Sequence, residues 1–205
     1  MTNFADQYVS TTYDEMFDAN GVVRDAYKKI HNVFNDIELS EFESRGALRD
    51  QAFVDQGITF SLSGKERPWP MDLIPRIITA KEWSVIEKGI IQRVKAMEMF
   101  LEDIYTQGNI IEDGIVQKHV VVSSHHFHRQ AYGFSTPNGV RIHVAGIDLV
   151  RDDKGEFLVL EDNLRSPSGI SYVVENRKAT SHVFPEIFAE ANIRSVHEYP
   201  QKLLN

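Results

Sequence analysis

The sequence contains no cysteine, which excludes a disulfide framework, a thiolate metal site and a cysteine nucleophile. It has no apolar run long enough to cross a bilayer, and residues 1–18 lack the basic start and apolar stretch of a secretory signal. Positive charge is scarce, because 22 Lys and Arg face 30 Asp and Glu, for a net charge of −8. Non-specific binding to nucleic acid is therefore disfavoured. We expect a cytoplasmic protein whose partners include neither nucleic acid nor membrane.

The remaining composition is that of an ordinary globular protein. Its 205 residues are 42% hydrophobic and 25% charged, close to average usage. A chain of this length can bury a core without covalent staples. It suits one large domain or two small ones.

Residues 1–56 have the pattern of a helical arm. Apolar residues at helical spacing predict a first helix that ends near Asn35. A second helix is predicted over 40–51, with Phe42 and Leu48 facing inward. The first helix is defined by Val23, Tyr27, Ile30, His31 and Phe34.

The clearest local signal is a long helix that begins after Thr79. Thr79 and Glu82 match a capping box, in which each side chain satisfies a free backbone donor, and Gly108 is a typical helix stop. A stripe of apolar residues at intervals of three and four predicts core packing along one side. The stripe consists of Trp83, Ile86, Ile90, Val94, Met97, Leu101 and Ile104.

Residues 57–205 alternate between strand and helix patterns. This mixture predicts an α/β (α+β) part with a mixed sheet and flanking helices. A loop or hairpin end is predicted at 61–72, which contains Gly64, Pro68 and Pro70. The strands are predicted at 57–60, 116–123, 141–151, 156–162 and 194–198, and further helices at 171–179 and 184–191.

The residues that suggest chemistry are concentrated in a predicted β-hairpin within residues 140–163. Two apolar strands flank the turn sequence Asp-Asp-Lys-Gly at 152–155. A four-residue loop would place Arg151 opposite Glu156. A three-residue loop with a bulge at Gly155 would shift the register by one residue and separate Asp148 from Glu161.

With the four-residue loop, three oxygen-bearing side chains share one face of the hairpin. Asp148 would lie opposite Val159 and Gly146 opposite Glu161, so that Asp148 and Glu161 are diagonal neighbours. Asn163 would point the same way, because strand side chains alternate. Two carboxylates and an amide oxygen suit Mg²⁺, which takes oxygen ligands and keeps positions for water and phosphate.

A simpler interpretation of the two carboxylates stays open. Asp148 and Glu161 could face solvent or pair with Arg141, Arg151 or Arg165. Spacing alone favours this simpler interpretation.

Longer blocks of the sequence resemble circularly permuted ATP-grasp proteins. The main blocks are A-G-I-D-L-V-R from Ala145 and L-E-D-N-L-R-S-P-S-G from Leu160. Shorter blocks agree in the same order, namely Y-D-E-M-F-D-A from Tyr13, G-I-T-F from Gly57, D-L-I-P-R-I-I from Asp72, and E-W with Q-R-V in the long helix. The family is similar to glutathionylspermidine synthetase and, more distantly, to eukaryotic glutathione synthetase.

The resemblance implies a Mg²⁺- and ATP-dependent ligase that joins a carboxylate to an amine through an acyl phosphate. It assigns Asp148, Glu161 and Asn163 to the metal. The implied substrates are small-molecule or peptide-like carboxylates and amines.

Other residues near this block are predicted to contact phosphate or substrate. Arg165 is the predicted catalytic cation. Arg151, Ser166, Ser168 and Gly169 are predicted to bind the nucleotide, the last two at the start of a helix. The alternative for this segment is a plain helix entry with a serine cap.

The sequence also departs from the family pattern. Relatives carry an arginine two residues before the metal-binding Asp, where this chain has Gly146. In the permuted order, the lysines and glycine-rich loop that grip the nucleotide come late. We therefore expect residues 1–205 to be the N-terminal portion of the domain, a truncated or partial product without the nucleotide-gripping second half. The alternative is a noncatalytic module that keeps the fold and acts in protein assembly. The expected macromolecular partner is a second copy of the chain, in a homo-oligomer, or the missing C-terminal half.

A histidine cluster suggests a second, rival function. His125, His126 and His128 precede Arg129. On a strand, His126 and His128 would face the same way, as a Zn²⁺ or Fe²⁺ pair requires. No third ligand follows at a recognisable spacing, so an exposed strand end is the preferred interpretation, with a histidine-metal enzyme as the alternative.

Overall fold

The structure, a computed structural model, describes residues 10–204. The chain divides into two compact units. Of the described residues, the first unit combines 10–79, 152–156 and 168–204. The second unit consists of Ala80–Arg151 and Phe157–Pro167.

Helices and short strands alternate along the chain. In order, they are α1 (Lys28–Asn35), α2 (Leu39–Asp55), β1 (Thr59–Leu62), β2 (Lys65–Pro68), α3 (Ala80–Ile104), α4 (Asn109–Glu112), α5 (Lys118–Val122), β3 (Gly146–Arg151), β4 (Phe157–Asn163), α6 (Gly169–Val183), α7 (Pro185–Glu190) and α8 (Tyr199–Leu204). Within residues 10–204, no helix is both long enough and apolar enough to span a membrane.

The strands form two antiparallel pairs, β1 with β2 and β3 with β4. The predicted α+β class is confirmed, but the described strands make two separate two-stranded sheets rather than one mixed sheet. The hairpin expected at 61–72 is present. Ser63 and Gly64 connect its strands with positive φ angles of 53° and 77°, the backbone that a two-residue hairpin turn needs.

The core of the first unit joins residues from both ends of the chain. Phe34 meets Phe184 edge to face at a centroid distance of 5.3 Å, and Phe184 and Ile187 are almost completely buried. The other buried members of this cluster are Met16, Phe17, Tyr27, Ile30 and Val183. Tyr27, Ile30 and Phe34 therefore face inward, as their helical spacing predicts.

The inward side of α2 differs from the prediction. Leu48 is 47% exposed, whereas Phe53 is 1% exposed. Gly46 is also buried, and a Cβ at this position would lie 3.3 Å from Leu73. Phe42, Gly46 and Phe53 are spaced by four and seven residues, so they share a side of the helix that excludes Leu48.

The long helix α3 is the main helix of the second unit. It runs as predicted, but its apolar stripe is covered only in part. Ile86 and Ile104 are buried, whereas Trp83 is 38% exposed. The stripe residues between Ile86 and Ile104 are half-buried.

Two predicted strands are wrong. Residues 116–123 contain the short helix α5, of which Val121 is buried. The segment 194–198 is a turn that leads into α8, and the Tyr199 N–H donates to the Val196 carbonyl. Short apolar runs do not distinguish helix from strand by periodicity alone.

Candidate functional site

The β3–β4 hairpin closes through a five-residue turn from Asp152 to Glu156. Arg151 pairs with Phe157, so the prediction that it faces Glu156 is wrong. The Asp152 carboxylate explains the longer turn, because it accepts hydrogen bonds from the N–H groups of Lys154 at 2.9 Å and Glu156 at 2.8 Å. Such a side-chain bond to the backbone two residues on is typical of Asp in turns.

A bulge then changes the register of the strands. Leu149 pairs with Val159, whereas Asp148 pairs with Glu161, so Leu160 has no partner across the ladder. The prediction that Asp148 faces Val159 is therefore wrong. The two carboxylates lie directly opposite each other rather than on a diagonal.

One face of the hairpin carries all three predicted metal ligands. Gly146 pairs with Asn163, not with Glu161 as predicted. Since Asp148 opposes Glu161 and Asn163 follows Glu161 by two residues, the three side chains leave the same face. Asp148 and Glu161 are exposed, and Asn163 is half-buried. We call this face, which consists of Asp148, Glu161 and Asn163, the acidic face.

The opposed carboxylates lack a neutralising cation within the part of the chain that the structure describes. Like charges directly opposite on a strand pair destabilise it. Arg141 serves elsewhere, because its guanidinium donates to Glu102 at 2.7 Å and to the Phe134 carbonyl at 3.0 Å. The acidic face therefore has the charge and the ligand type that a divalent cation requires.

The opposite face of the hairpin is held to α3 by two ion pairs. Arg93 donates to both carboxylate oxygens of Asp162, at 2.7 and 2.6 Å. Arg151 donates to Glu82 at 2.9 Å, and its guanidinium lies 4.0 Å from the centroid of the Phe157 ring. The hydrogen bonds from Arg93 lower the pKa of Asp162 below its ordinary value.

These contacts separate Arg151 from the predicted metal ligands. Arg151 is three residues from Asp148, and an odd spacing puts two strand residues on opposite faces. The same alternation places Asp162 between Glu161 and Asn163 but facing the other way. Sequence reasoning missed Asp162 although this period-two signal was present, and it gave no reason to select Arg93.

The segment after β4 folds back over the acidic face. A Cβ at Gly146 would lie 2.6 Å from the Cβ of Pro167. Such a Cβ would point to the same face as the Asp148 side chain, because the two residues are two positions apart in β3. A side chain at position 146, including the arginine of the family pattern, would therefore require Pro167 to move. Arg165 and Ser166 precede this proline and are exposed.

Ser168 and Gly169 lie at the start of α6, in the first unit. Ser168 occupies the N-cap position, but its side chain makes no capping hydrogen bond. The alternative, a helix entry capped by serine, is therefore met in part. A serine occupies the N-cap position, but its hydroxyl makes no hydrogen bond to the backbone of the first turn. A nucleotide-binding role for Ser168 and Gly169 stays a prediction.

The histidine cluster lies in a turn after α5 rather than on a strand. The rings of His125 and His126 meet edge to face at a centroid distance of 5.9 Å, and the His128 N–H donates to the Tyr105 hydroxyl. Among residues 10–204, no three His, Asp or Glu side chains are grouped so that they could hold a metal ion.

Comparison with known proteins points to one family. The family described as "a circularly permuted ATPgrasp" matches residues 75–205. An uncharacterised protein of Mycobacterium leprae is 56% identical over 202 residues, which cover 98% of this chain and 36% of that protein. An uncharacterised Synechocystis protein is 42% identical over 196 residues, covering 94% of this chain and 41% of that protein.

A Frankia casuarinae protein with the provisional name glutamate–cysteine ligase 2-2 is 40% identical over 200 residues. The match covers 97% of this chain and 23% of that protein. The chain thus spans roughly a quarter to two-fifths of the length of these relatives.

Proposed function

Because this chain belongs to the circularly permuted ATP-grasp family, we propose that the full-length product of its gene is a Mg²⁺- and ATP-dependent ligase that joins a carboxylate to an amine. The observation that carries the proposal is the acidic face. Asp148 and Glu161 oppose each other directly, and no cationic side chain in the described part of the chain pairs with either of them.

The acidic face fits the metal that such a ligase uses. Asp148 and Glu161 would supply charged oxygens and Asn163 a neutral one, which leaves coordination positions for water and phosphate oxygens. When bound, Mg²⁺ with ATP supplies neutralisation of charge on the transferring phosphoryl group. The exposed position of both carboxylates gives such a ligand access from solvent.

Arg165 is a better candidate than Arg151 for the cationic side chain that assists substrate binding. Arg151 is committed to Glu82 on the far face of the hairpin. Arg165 is exposed and has no hydrogen-bond or ion-pair partner among residues 10–204, and the segment that carries it folds over the acidic face through Pro167. Arg165, with the Ser166 hydroxyl beside it, would orient an anionic group by charge-assisted hydrogen bonds.

We further propose amino-acid or peptide-like compounds as the carboxylate and the amine. The Frankia relative bears the name of a ligase that acts on glutamate and cysteine. Because the match covers 23% of that protein, the name supports the substrate class rather than the two compounds.

Calorimetric titration of Mg·ATP into the full-length gene product tests the site. We expect Asp148→Asn and Glu161→Gln each to weaken binding by at least about tenfold, the scale on which metal-site residues act. Asn163→Leu should also weaken binding. Glu156→Gln is the matched control, because Glu156 is an exposed acid in the adjoining turn.

The same titration addresses a second candidate, a noncatalytic module that acts in protein assembly. The observation that favours it is the close approach of Pro167 to Gly146, which leaves no room for the arginine of the family pattern. Wild-type binding of Mg·ATP followed by formation of ADP with a carboxylate and an amine supports the ligase. Absence of nucleotide binding by the full-length product supports the module.

A further inference from the structure

Helix α3 meets the hairpin through two ion pairs of opposite polarity. It presents the acid Glu82 to Arg151 at one place and the base Arg93 to Asp162 at another. Eleven residues are close to three helical turns, so Glu82 and Arg93 lie on the same side of α3. Reversing the hairpin on this helix would bring like charges together, so the two pairs favour the observed direction.

The Arg93–Asp162 pair acts at the part of β4 that carries two of the proposed ligands. Asp162 stands between Glu161 and Asn163 in the strand. When Asp162 points to α3, its two neighbours must point to the acidic face, because strand side chains alternate.

Because of the bulge, the orientation of residues 161–163 depends on the Arg93–Asp162 pair. Leu160 interrupts the ladder just before Glu161, so the pairing of residues 157–159 does not by itself fix residues 161–163. Among the described residues, no other ion pair reaches this segment. A slip by one residue would turn Glu161 toward α3 and away from Asp148.

The form of the contact also points to orientation rather than to stability. Arg93 donates from two nitrogens to the two oxygens of one carboxylate, which fixes the plane of the carboxyl group. The side chains are 44% and 23% exposed, and ion pairs of such exposure contribute little to folding. A lysine would keep the charge but not the forked geometry.

We propose that Arg93 is a positioning residue that, through Asp162, aims Glu161 and Asn163 at the bound cation. This inference rests on the proposed function, in which the acidic face holds Mg²⁺. Arg93 itself touches neither the cation nor the substrate.

The test uses Mn²⁺ alone as a paramagnetic probe of the isotope-labelled chain. Wild-type protein should show saturable broadening of amide signals centred on Asp148 and Glu161. Arg93→Gln should weaken Mn²⁺ affinity at least fivefold, and Arg93→Lys should have an intermediate effect. The double exchange Arg93→Asp with Asp162→Arg should restore affinity to within twofold of wild type. Lys88→Gln, on the same helix and exposed, is the control for loss of one positive charge.

A second measurement in the absence of metal separates positioning from simple electrostatics. The cross-strand nuclear Overhauser contact between Asp148 and Glu161 should be lost or weakened in Arg93→Gln and regained in the double exchange, while thermal unfolding changes little. If Arg93→Gln does not fold, Arg93→Lys carries the test.

The outcomes distinguish the two claims. Localised Mn²⁺ binding by wild type that is equal in Arg93→Gln and Arg93→Lys overturns the positioning role but leaves the metal site intact. An unchanged Asp148–Glu161 contact in these variants does the same. Wild-type protein without localised broadening overturns the metal site, and the positioning role with it.

Discussion

At position 146, glycine is required by the close approach of a neighbouring residue rather than by the backbone conformation. Its φ angle is not positive, so conformation alone does not demand glycine. The requirement comes from Pro167, whose Cβ and Cγ would lie 2.6 and 3.4 Å from an added Cβ. Because the clash involves a proline ring, it cannot be relieved by a rotamer change.

We therefore predict that Gly146→Ala lowers the free energy of unfolding by about 1–3 kcal/mol, the usual cost of overpacking. Urea denaturation measures the change. The double variant Gly146→Ala with Pro167→Gly should be about as stable as Pro167→Gly alone, because glycine at position 167 lacks the Cβ that causes the clash. A Gly146→Ala protein as stable as wild type would contradict the close approach of Pro167.

The candidate site was predictable from sequence in its composition but not in its register. Alternation along β4 was enough to put Glu161 and Asn163 on one face. Asp148 shares that face because the longer turn and the bulge each shift the register by one residue. The direct opposition of Asp148 and Glu161 was not predictable, because it depends on the bulge at Leu160. The turn is longer than its sequence suggests since the Asp152 carboxylate binds two backbone N–H groups.

At the scale of the elements, the predictions failed where the apolar run was short. The helix α3 has many turns over which a period of three and four residues becomes clear. The run at 116–123 is rich in β-branched residues, yet it contains the helix α5, because tertiary context overrides a weak local preference. The side of α2 that faces inward depends on the close fit of Gly46 against Leu73. The sequence does not reveal this fit, because a glycine carries no apolar side chain that would mark a buried position.

Arg45 connects α2 to α7. Arg45 donates to the Val183 carbonyl at 3.0 Å and to Glu186 at 2.5 Å, and it also pairs with Glu41. Its guanidinium lies 4.8 Å from the centroid of the Phe184 ring. Burial by itself would raise the pKa of Glu186, but hydrogen bonds from its own backbone and from Arg45 bring it below its ordinary value.

We predict that Arg45→Met destabilises the protein by about 1–3 kcal/mol, because it leaves the Val183 carbonyl and Glu186 without their charged donor. Denaturant unfolding provides the measurement. Lys178→Met is the matched control, since Lys178 pairs with Glu175 on an exposed helix surface and should change stability by no more than about 0.5 kcal/mol. Equal effects of the two substitutions would argue against the role of Arg45.

For the whole molecule, the first unit is discontinuous in sequence. Its core takes Tyr27, Ile30 and Phe34 from the early part of the chain and Val183, Phe184 and Ile187 from the late part. Contacts between such distant segments slow the formation of a native core.

We predict that Phe184→Ala costs about 3–5 kcal/mol, the range for removal of a fully buried ring. Hydrogen exchange should show the loss of protection in α1 and in α7, which both line the cavity. Phe60→Ala is the control, because Phe60 is 44% exposed. Unchanged exchange in α1 would contradict the packing of Phe34 against Phe184.

The contact between Phe34 and Phe184 cannot form until both residues have been synthesised. The ribosome adds about 5–20 residues per second, so the roughly 150 residues between the two rings take on the order of 8–30 s to appear. Throughout that interval, the apolar side chains of α1 lack the residues of α6 and α7 against which they pack in the folded protein. Exposed apolar surface of this kind makes incompletely folded chains prone to aggregate, so this interval is the stage of synthesis at which aggregation is most favoured.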